Sequence, residues 1–294
     1  TQLMIIFALL IGGLGVKAAL VPLHGWLPEA MIAPAPVSAL LHAVAVVKAG
    51  AFGIARVIHD VYGIGYAEQL GLLTPLLWVG CFTVLYGSLR ALAQTELKRR
   101  LAYSTISQVS YIVVGLALAT PLAAVGALAH LVHQGLMKIT LFFCAGSYAE
   151  TLGIHSIREL DGVGRRMPLT SVAFTVGAVA MMSVPPLAGF VSKWYLGLGA
   201  LQSAHPWVLG VFIASTLLNA AYFLPLVHRI WFRPALQTWP EEQPHLGGPG
   251  RETSRWLLLP TLATAFMALL AGLLAGVDLS PLDWAQRITR GLFP

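Results

Sequence analysis

Eight long apolar stretches constrain what this chain can fold into. They fall at about residues 2–30, 36–59, 69–93, 99–119, 122–148, 168–200, 206–232 and 255–277. A helix needs about 20 mostly apolar residues to cross hydrocarbon, so the pattern predicts an all-α, polytopic membrane bundle of about eight transmembrane helices. Composition points the same way: 10% of residues are charged, against about 25% in soluble domains. Cys81 and Cys144 lie within apolar runs and read as buried thiols rather than a disulfide or a metal pair. The chain opens at Thr1 directly on an apolar run, with no charged leader and cleavage site. Further helices are therefore expected upstream of it.

Two stretches are longer than one crossing needs, and each holds a helix breaker. The first contains "LVPLHGWLP" with Pro22, the sixth "SVPPLAGF" with Pro185 and Pro186. Proline removes a helix hydrogen bond and clashes with the preceding turn. In a membrane this is tolerated where the freed backbone is buried in protein or lines water, and broken helices often mark ion paths. A simple proline kink is the alternative.

The basic residues sort by side. Loops joining helices 1/2, 3/4, 5/6 and 7/8 hold Lys98, Arg99, Arg100, Arg158, Arg165, Arg166, Arg229, Arg233, Arg251 and Arg255, whereas the opposite side holds Arg287 and Arg290. The positive-inside rule predicts that the first set is cytoplasmic and that both ends of the chain are outside. The expected layout is one transmembrane unit over 1–294. Residues 233–254, rich in Pro, Gly and Glu, form a cytoplasmic linker, 255–277 a final spanning helix and 278–294 an outside tail.

Lysine behaves differently from arginine. Of the five lysines, Lys17, Lys48, Lys138 and Lys193 fall inside predicted helices, while no Asp or Glu does so at mid-helix. Four such insertions cost roughly 10–14 kcal/mol together. Arginine does not release its proton in a protein, but a buried lysine can. Four titratable amines on different helices fit a proton relay. The competing reading is local: Lys17 lies near the Pro22 break and can satisfy carbonyls freed there, and Lys193 can cap a broken helix, whereas Lys48 and Lys138 lie too deep for easy snorkelling.

Polar companions follow helical spacing. In "HLVHQGLMK", His130, Gln134 and Lys138 share one face and His133 lies beside it. His42 precedes Lys48 by less than two turns. Histidine titrates near neutrality and can pass protons on. Ser104, Ser107, Gln108 and Tyr111 form a stripe at i, i+3, i+4 and i+7, which reads first as helix–helix packing and, with ordered water, as a route for protons. The remaining histidines lie at helix ends or in loops.

Four stretches, "VKAALVPLHGWLPEAMIAPAPVSALLHAVAVVKAG", "ELKRRLAYSTISQVSYI", "HLVHQGLMKITLFFCAGS" and "VPPLAGFVSKWYL", resemble the antiporter-like subunits of respiratory complex I (NADH-quinone oxidoreductase). That group includes the large subunits of multi-subunit Na+/H+ antiporters and of membrane-bound hydrogenases. The resemblance runs collinearly over nearly all of residues 1–232. It implies a fourteen-helix fold of two inverted five-helix repeats, of which this chain is similar to the part from the seventh helix onward. Residues 1–60 would end the first repeat and 69–232 would form the second.

The resemblance also implies roles. Lys17 matches the family's first-repeat lysine, Lys48 its central lysine with His42 nearby, His130, His133 and Lys138 its polar helix, and Lys193 its exit lysine. The glutamate that partners the first lysine lies upstream of this sequence, and Gln134 stands where relatives often carry a second histidine. The implied function is that of a proton-translocating subunit of a redox-driven pump or cation/proton antiporter, in a prokaryotic cell membrane and among other membrane subunits. Sodium/proton exchange and a non-transporting scaffold are the alternatives. The sequence carries no nucleotide loop, cysteine cluster or nucleic-acid motif. Any quinone, NADH or iron–sulfur chemistry, and the catalysis that goes with it, is therefore expected in partner subunits, with ordered water as the only accessory in this chain and no resident metal.

Overall fold

The computed structural model describes residues 2–33, 35–40, 45–236, 238–240 and 252–293. Among them regular structure is helical, apart from one antiparallel bridge between Glu96 and Ser156. The expected position of His42, and most of the expected 233–254 linker, lie outside the described residues. The helices in chain order are α1 (Gln2–Lys17), α2 (Trp26–Glu29), α3 (Ala35–Ser38), α4 (Val46–Arg56), α5 (Ile64–Gln69), α6 (Leu73–Leu92) and α7 (Leu97–Ala117). They continue with α8 (Pro121–Leu152), α9 (Val163–Arg166), α10 (Pro168–Met181), α11 (Ala188–Gln202), α12 (Val208–Phe232), α13 (Arg255–Leu273) and α14 (Pro281–Leu292).

Four of these, α6, α8, α12 and α13, are long and apolar enough to cross a membrane by length and composition. Their outward faces carry Phe82, Leu217 and Phe266 in exposed positions, as a lipid-facing surface requires. With α7 also about 31 Å long by helix rise, the chain is a multi-pass membrane bundle. α7 is more polar than those four, and 18 of its 21 residues are buried. Its Ser, Thr and Gln side chains are buried, with α4, α6 and α8 packed around it.

α8 is the longest element at 32 residues. Thr120 caps its start by accepting from Ala123 N–H, with Pro121 in the first turn. Gly153 ends it in the left-handed conformation (φ 67°), which glycine adopts without a Cβ clash. α8 packs against α7, α10, α11, α13 and α14, so it runs through the bundle as a shared wall. One apolar core lies where α1, α4, α6 and α7 meet, and a second among α7, α8, α10, α12 and α13.

The chain leaves helical geometry at both proline motifs. After Lys17, residues 18–25 turn through Ala19 (φ 54°) and Pro22. Val21 N–H donates to Thr83 Oγ1 at 3.2 Å, and Trp26 Nε1 to Val16 O at 2.7 Å. After Met181, the chain passes Ser183 (φ 63°), Pro185 and Pro186 before α11. There Lys193 Nζ donates to Met181 O at 3.2 Å, satisfying a terminal carbonyl of α10. The local reading of Lys193 as a carbonyl-binding group at a break is thus part of what this side chain does.

Within the 36–59 run, α3 and α4 lie on either side of residues 41–44, which are outside the described residues, and Val57–Tyr62 winds as a π-helix. One feature differs from the sequence expectation. The segment expected only as a tail folds into α14, capped by Ser280, which accepts from Asp283 N–H at 3.1 Å. α14 buries Leu282, Ala285 and Thr289 against α8 and α11 residues including Val125, Ala129 and Tyr195. Its interrupted apolar pattern hides it from a search for 20-residue runs.

Close packing of α8 on α11 depends on Gly126, where a methyl group would lie 2.6 Å from Leu196 N and 3.0 Å from Ser192 O. At Gly210 the same methyl meets nothing within 4 Å. Gly126→Ala should destabilise the purified protein by about 1–3 kcal/mol through overpacking, read as a lowered thermal midpoint in detergent. Gly210→Ala should leave that midpoint unchanged or raise it, because alanine favours helix.

Candidate functional site

The α7, α8, α11 and α12 helices bring a row of polar groups into the apolar interior. On α8, His130, His133, Gln134 and Lys138 are all fully buried. Their spacing of three and four residues puts them along one side of the helix. α7 supplies Ser104, Ser107, Gln108 and Tyr111, also fully buried. α12 adds Ser215, Asn219 and Tyr222, and α6 adds Ser88.

At one end of the row, Lys138 Nζ donates to Ser104 Oγ at 2.7 Å and to Leu101 O at 3.2 Å. It lies 5.7 Å from the Phe223 ring centre. The Ser104 hydroxyl is 2.8 Å from the Tyr222 hydroxyl, which donates to Asn219 Oδ1. Ser104 therefore accepts from Lys138 and gives its own hydrogen to Tyr222. Next along α7, Ser107 lies 2.8 Å from Ser88, and Ser88 lies 3.0 Å from Ser215. The stripe read first as packing does bind α6, α7 and α12 together, and it also holds the Lys138 amine.

About 12 Å away, at 1.5 Å per residue along α8, two more lysines meet the row. Lys48, on α4 and 8% exposed, donates to Leu131 O on α8, beside His130. Lys193, on α11, lies 4.9 Å from the Tyr111 ring centre. Tyr111 and His130 rings are 5.7 Å apart, and His130 Nδ1 is 2.8 Å from Ser192 Oγ. His130 thus sits between the attachment points of Lys48 and Lys193. The three amines bond to carbonyls, a hydroxyl and aromatic faces, and no carboxylate lies within ion-pair distance of them among the described residues.

Several buried polar atoms between these lysines have no hydrogen-bond partner among the described residues. They are His130 Nε2, both ring nitrogens of His133, and both side-chain polar atoms of Gln108 and Gln134. Buried polar groups are costly to leave unpaired, and in folded proteins ordered water commonly serves them.

Lys17 is placed differently. It ends α1 with its side chain exposed, while its backbone packs against Gly50 of α4, two residues from Lys48. Pro22, Pro185 and Pro186 all fall in the non-helical segments described above. Among the described residues no group of three or more His, Cys, Asp or Glu side chains forms a metal site.

Sequence reasoning missed the α12 members. Ser215, Asn219 and Tyr222 recur at i, i+4 and i+7 in "STLLNAAY", a polar face on an otherwise apolar helix that periodicity could have revealed. Ser192 and Ser88 carry no such signal, since isolated serines are common in membrane helices.

Ser104→Ala would strip the Lys138 amine and the Tyr222 hydroxyl of a shared buried partner. The expected loss is about 1–3 kcal/mol of stability, measurable as a lowered thermal midpoint. Ser110→Ala, whose hydroxyl donates only to Ile106 O within its own helix at 2.9 Å, should change it by less.

The family described as NADH:quinone oxidoreductase/Mrp antiporter, TM, matches residues 1–229. The chain is 41% identical over 230 residues to NADH-quinone oxidoreductase subunit N of Desulforudis audaxviator, covering 76% of this chain and 44% of that protein. It is 34% identical over 286 residues to a probable K(+)/H(+) antiporter component of Rhizobium meliloti, covering 94% and 27% respectively. In structure it is similar to a chain of the Mrp complex from Dietzia sp. DQ12-45-1b, with a TM-score of 0.83, 23% identity, and coverage of 99% of this chain and 61% of that one. The chain spans less than half the length of these two curated relatives.

Proposed function

This chain belongs to the NADH:quinone oxidoreductase/Mrp antiporter transmembrane family, and from that premise we propose that it carries protons across the membrane within a larger ion-translocating assembly. The observation that carries the reading is the set of three lysines, Lys48 and Lys138 buried and Lys193 half-buried, which lack a carboxylate partner among the described residues and meet a row of polar side chains. An amine in low dielectric is held near the balance between its charged and neutral forms. A change in charge nearby can then move a proton onto or off it.

Lys48 receives a proton and hands it to the α8 row at His130. His130, His133 and Gln134, bridged by water at their unpartnered atoms, connect it with Lys138. Ser104 and Tyr222 hold the Lys138 amine in place. Lys193, resting on Tyr111 and on the α10 terminus, delivers protons to the far side. Lys17 responds to a partner outside the row. Gln134 cannot hold a proton, so it positions water instead of relaying directly.

On this reading the chain corresponds to the later part of a fourteen-helix inverted-repeat protein, with the basic loops on the cytoplasmic side. Its neighbours are other membrane subunits. Redox or counter-ion chemistry takes place on those partners. The similarity to a protein named for K(+)/H(+) antiport favours one second reading, exchange of an alkali cation for protons.

The test is proton translocation by the full-length protein in its assembled complex, reconstituted in vesicles. Lys138→Ala should lower the proton flux by about 100-fold, the scale of a lost positioned proton-transfer group, with assembly intact. Lys138→Arg, which keeps a charge that cannot be released, should fare no better. Normal flux in either variant contradicts the relay. Flux that requires Na+ or K+ in the parent protein favours the exchanger.

A further inference from the structure

A hollow opens on the side of the bundle between α4, α8 and α13. Its volume is about 530 Å³, within the range of about 300–1,000 Å³ that small-ligand sites occupy. One wall is formed by Ala45 and, on α4, by Lys48, Ala49 and Phe52, at i, i+3, i+4 and i+7. The facing wall is the side of α8 that carries Leu131, Gly135 and Ile139, and Thr264 of α13 closes the third side. Ala49, Phe52 and Val132 at its rim are exposed. A second hollow of about 420 Å³ shares Phe52, Leu131 and Val132 and continues to Trp284 and Ile288 of α14. The two make one groove along the flank of α8.

The side chains lining the larger hollow are apolar except for the Lys48 amine and the Thr264 hydroxyl. Thr264 is engaged within its own helix, donating to Thr261 O at 3.0 Å. Lys48 Nζ gives one bond to Leu131 O, and an ammonium has three to give. The others have no partner among the described residues, and no carboxylate there lies within ion-pair distance. Leu131 stands ten residues into α8, about 15 Å from its start by helix rise. The groove is therefore an oily slot, reached from the side, with one uncompensated amine deep in its wall.

We propose that this groove binds a long-chain fatty acid taken from the bilayer, with its carboxylate on Lys48 and its alkyl chain along α8. The occupant must be apolar along its length and carry one anionic group. A phospholipid phosphate stays in the headgroup layer and does not reach the depth of Lys48. A spanning protein helix is about 10 Å wide and about 20 residues long, so the larger hollow takes in little more than one turn of it. A fatty acid enters hydrocarbon as the neutral acid. At Lys48 the acid O–H bond breaks, its proton forms an N–H bond with the neutral amine, and the resulting carboxylate and ammonium stay paired by a charge-assisted hydrogen bond. On the proton route proposed above, occupancy holds Lys48 in its charged form and slows the flux. The binding itself does not depend on that route.

The probe is palmitic acid bearing a photoreactive diazirine, offered beside the matching diazirine alcohol to the full-length protein in its assembled complex in vesicles. Attachment sites are mapped by peptide mass spectrometry. The acid should label residues 45–52 and 131–139 about tenfold more than the alcohol, the scale of one charge-assisted bond. Lys48→Gln, which removes the charge, and Ala49→Phe, which fills the groove, should each lower that labelling by about tenfold. Val132→Phe narrows the same groove and decides the matter if Ala49→Phe fails to assemble. Equal labelling by acid and alcohol overturns the proposal, as does labelling that persists in Lys48→Gln and in an assembled filling variant. A parent complex without label in the groove also overturns it and leaves the groove to a protein partner. Unlabelled palmitate should slow proton flux in the parent and not in Ala49→Phe, whose vesicles share any leak through the lipid. The expected labelling in a complex that moves no protons, or whose flux palmitate leaves unchanged, upholds the site and contradicts the part given to Lys48 in the relay.

Discussion

Every polar group in the interior of this bundle must find its partner within the protein or in water held by the protein, because hydrocarbon offers none. That constraint explains the arrangement around α8. Lysine amines reach backbone carbonyls at Leu131, Leu101 and Met181, and hydroxyls gather around Ser104 and Ser88. The two departures from helix are stitched to neighbours by Thr83, Trp26 and Lys193. A soluble protein could leave these groups to solvent. Here each unsatisfied group would cost several kcal/mol, so the polar row is specified as tightly as the apolar cores on either side of it.

The same constraint gives the lysines their chemistry. An ammonium held by carbonyls and a hydroxyl is stabilised less than one held by a carboxylate, and its neutral form still accepts the same neighbours. Lys138 between Ser104 and Leu101 fits both states. Replacing such a group with leucine would suit the bilayer better, and the fold retains three instances in one connected region. Lysines without a counter-ion among the described residues, buried at Lys48 and Lys138 and half-buried at Lys193, are the structural signature on which the proton-carrying reading rests.

Much of this was legible from the chain alone. The runs that became α6, α7, α8 and α12 are visible because a membrane sets their length. Pro22 and the Pro185–Pro186 pair mark the breaks because proline cannot donate. His130, Gln134 and Lys138 lie on one face because 3.6 residues make a turn. What escaped depends on distant pairing. Tyr222 serves Ser104 across 118 positions of sequence, and no local pattern announces it. Arg100 looks like its neighbours Lys98 and Arg99 until α7 turns it inward onto Tyr222 O. α14 is too short and too polar for a spanning search, yet it covers Val125 and Ala129.

The most direct test of the account is the protonation state of the buried amines themselves. Lysine side chains labelled with 15N in the full-length protein, within its assembled complex, report ammonium and neutral amine as separate signals. The account predicts that Lys138 populates both forms within the pH range over which the complex works, and that this signal disappears in Lys138→Arg while the other lysine signals remain. A spectrum in which Lys48, Lys138 and Lys193 stay fully protonated throughout that range would contradict it, because a group that never releases its proton cannot carry one.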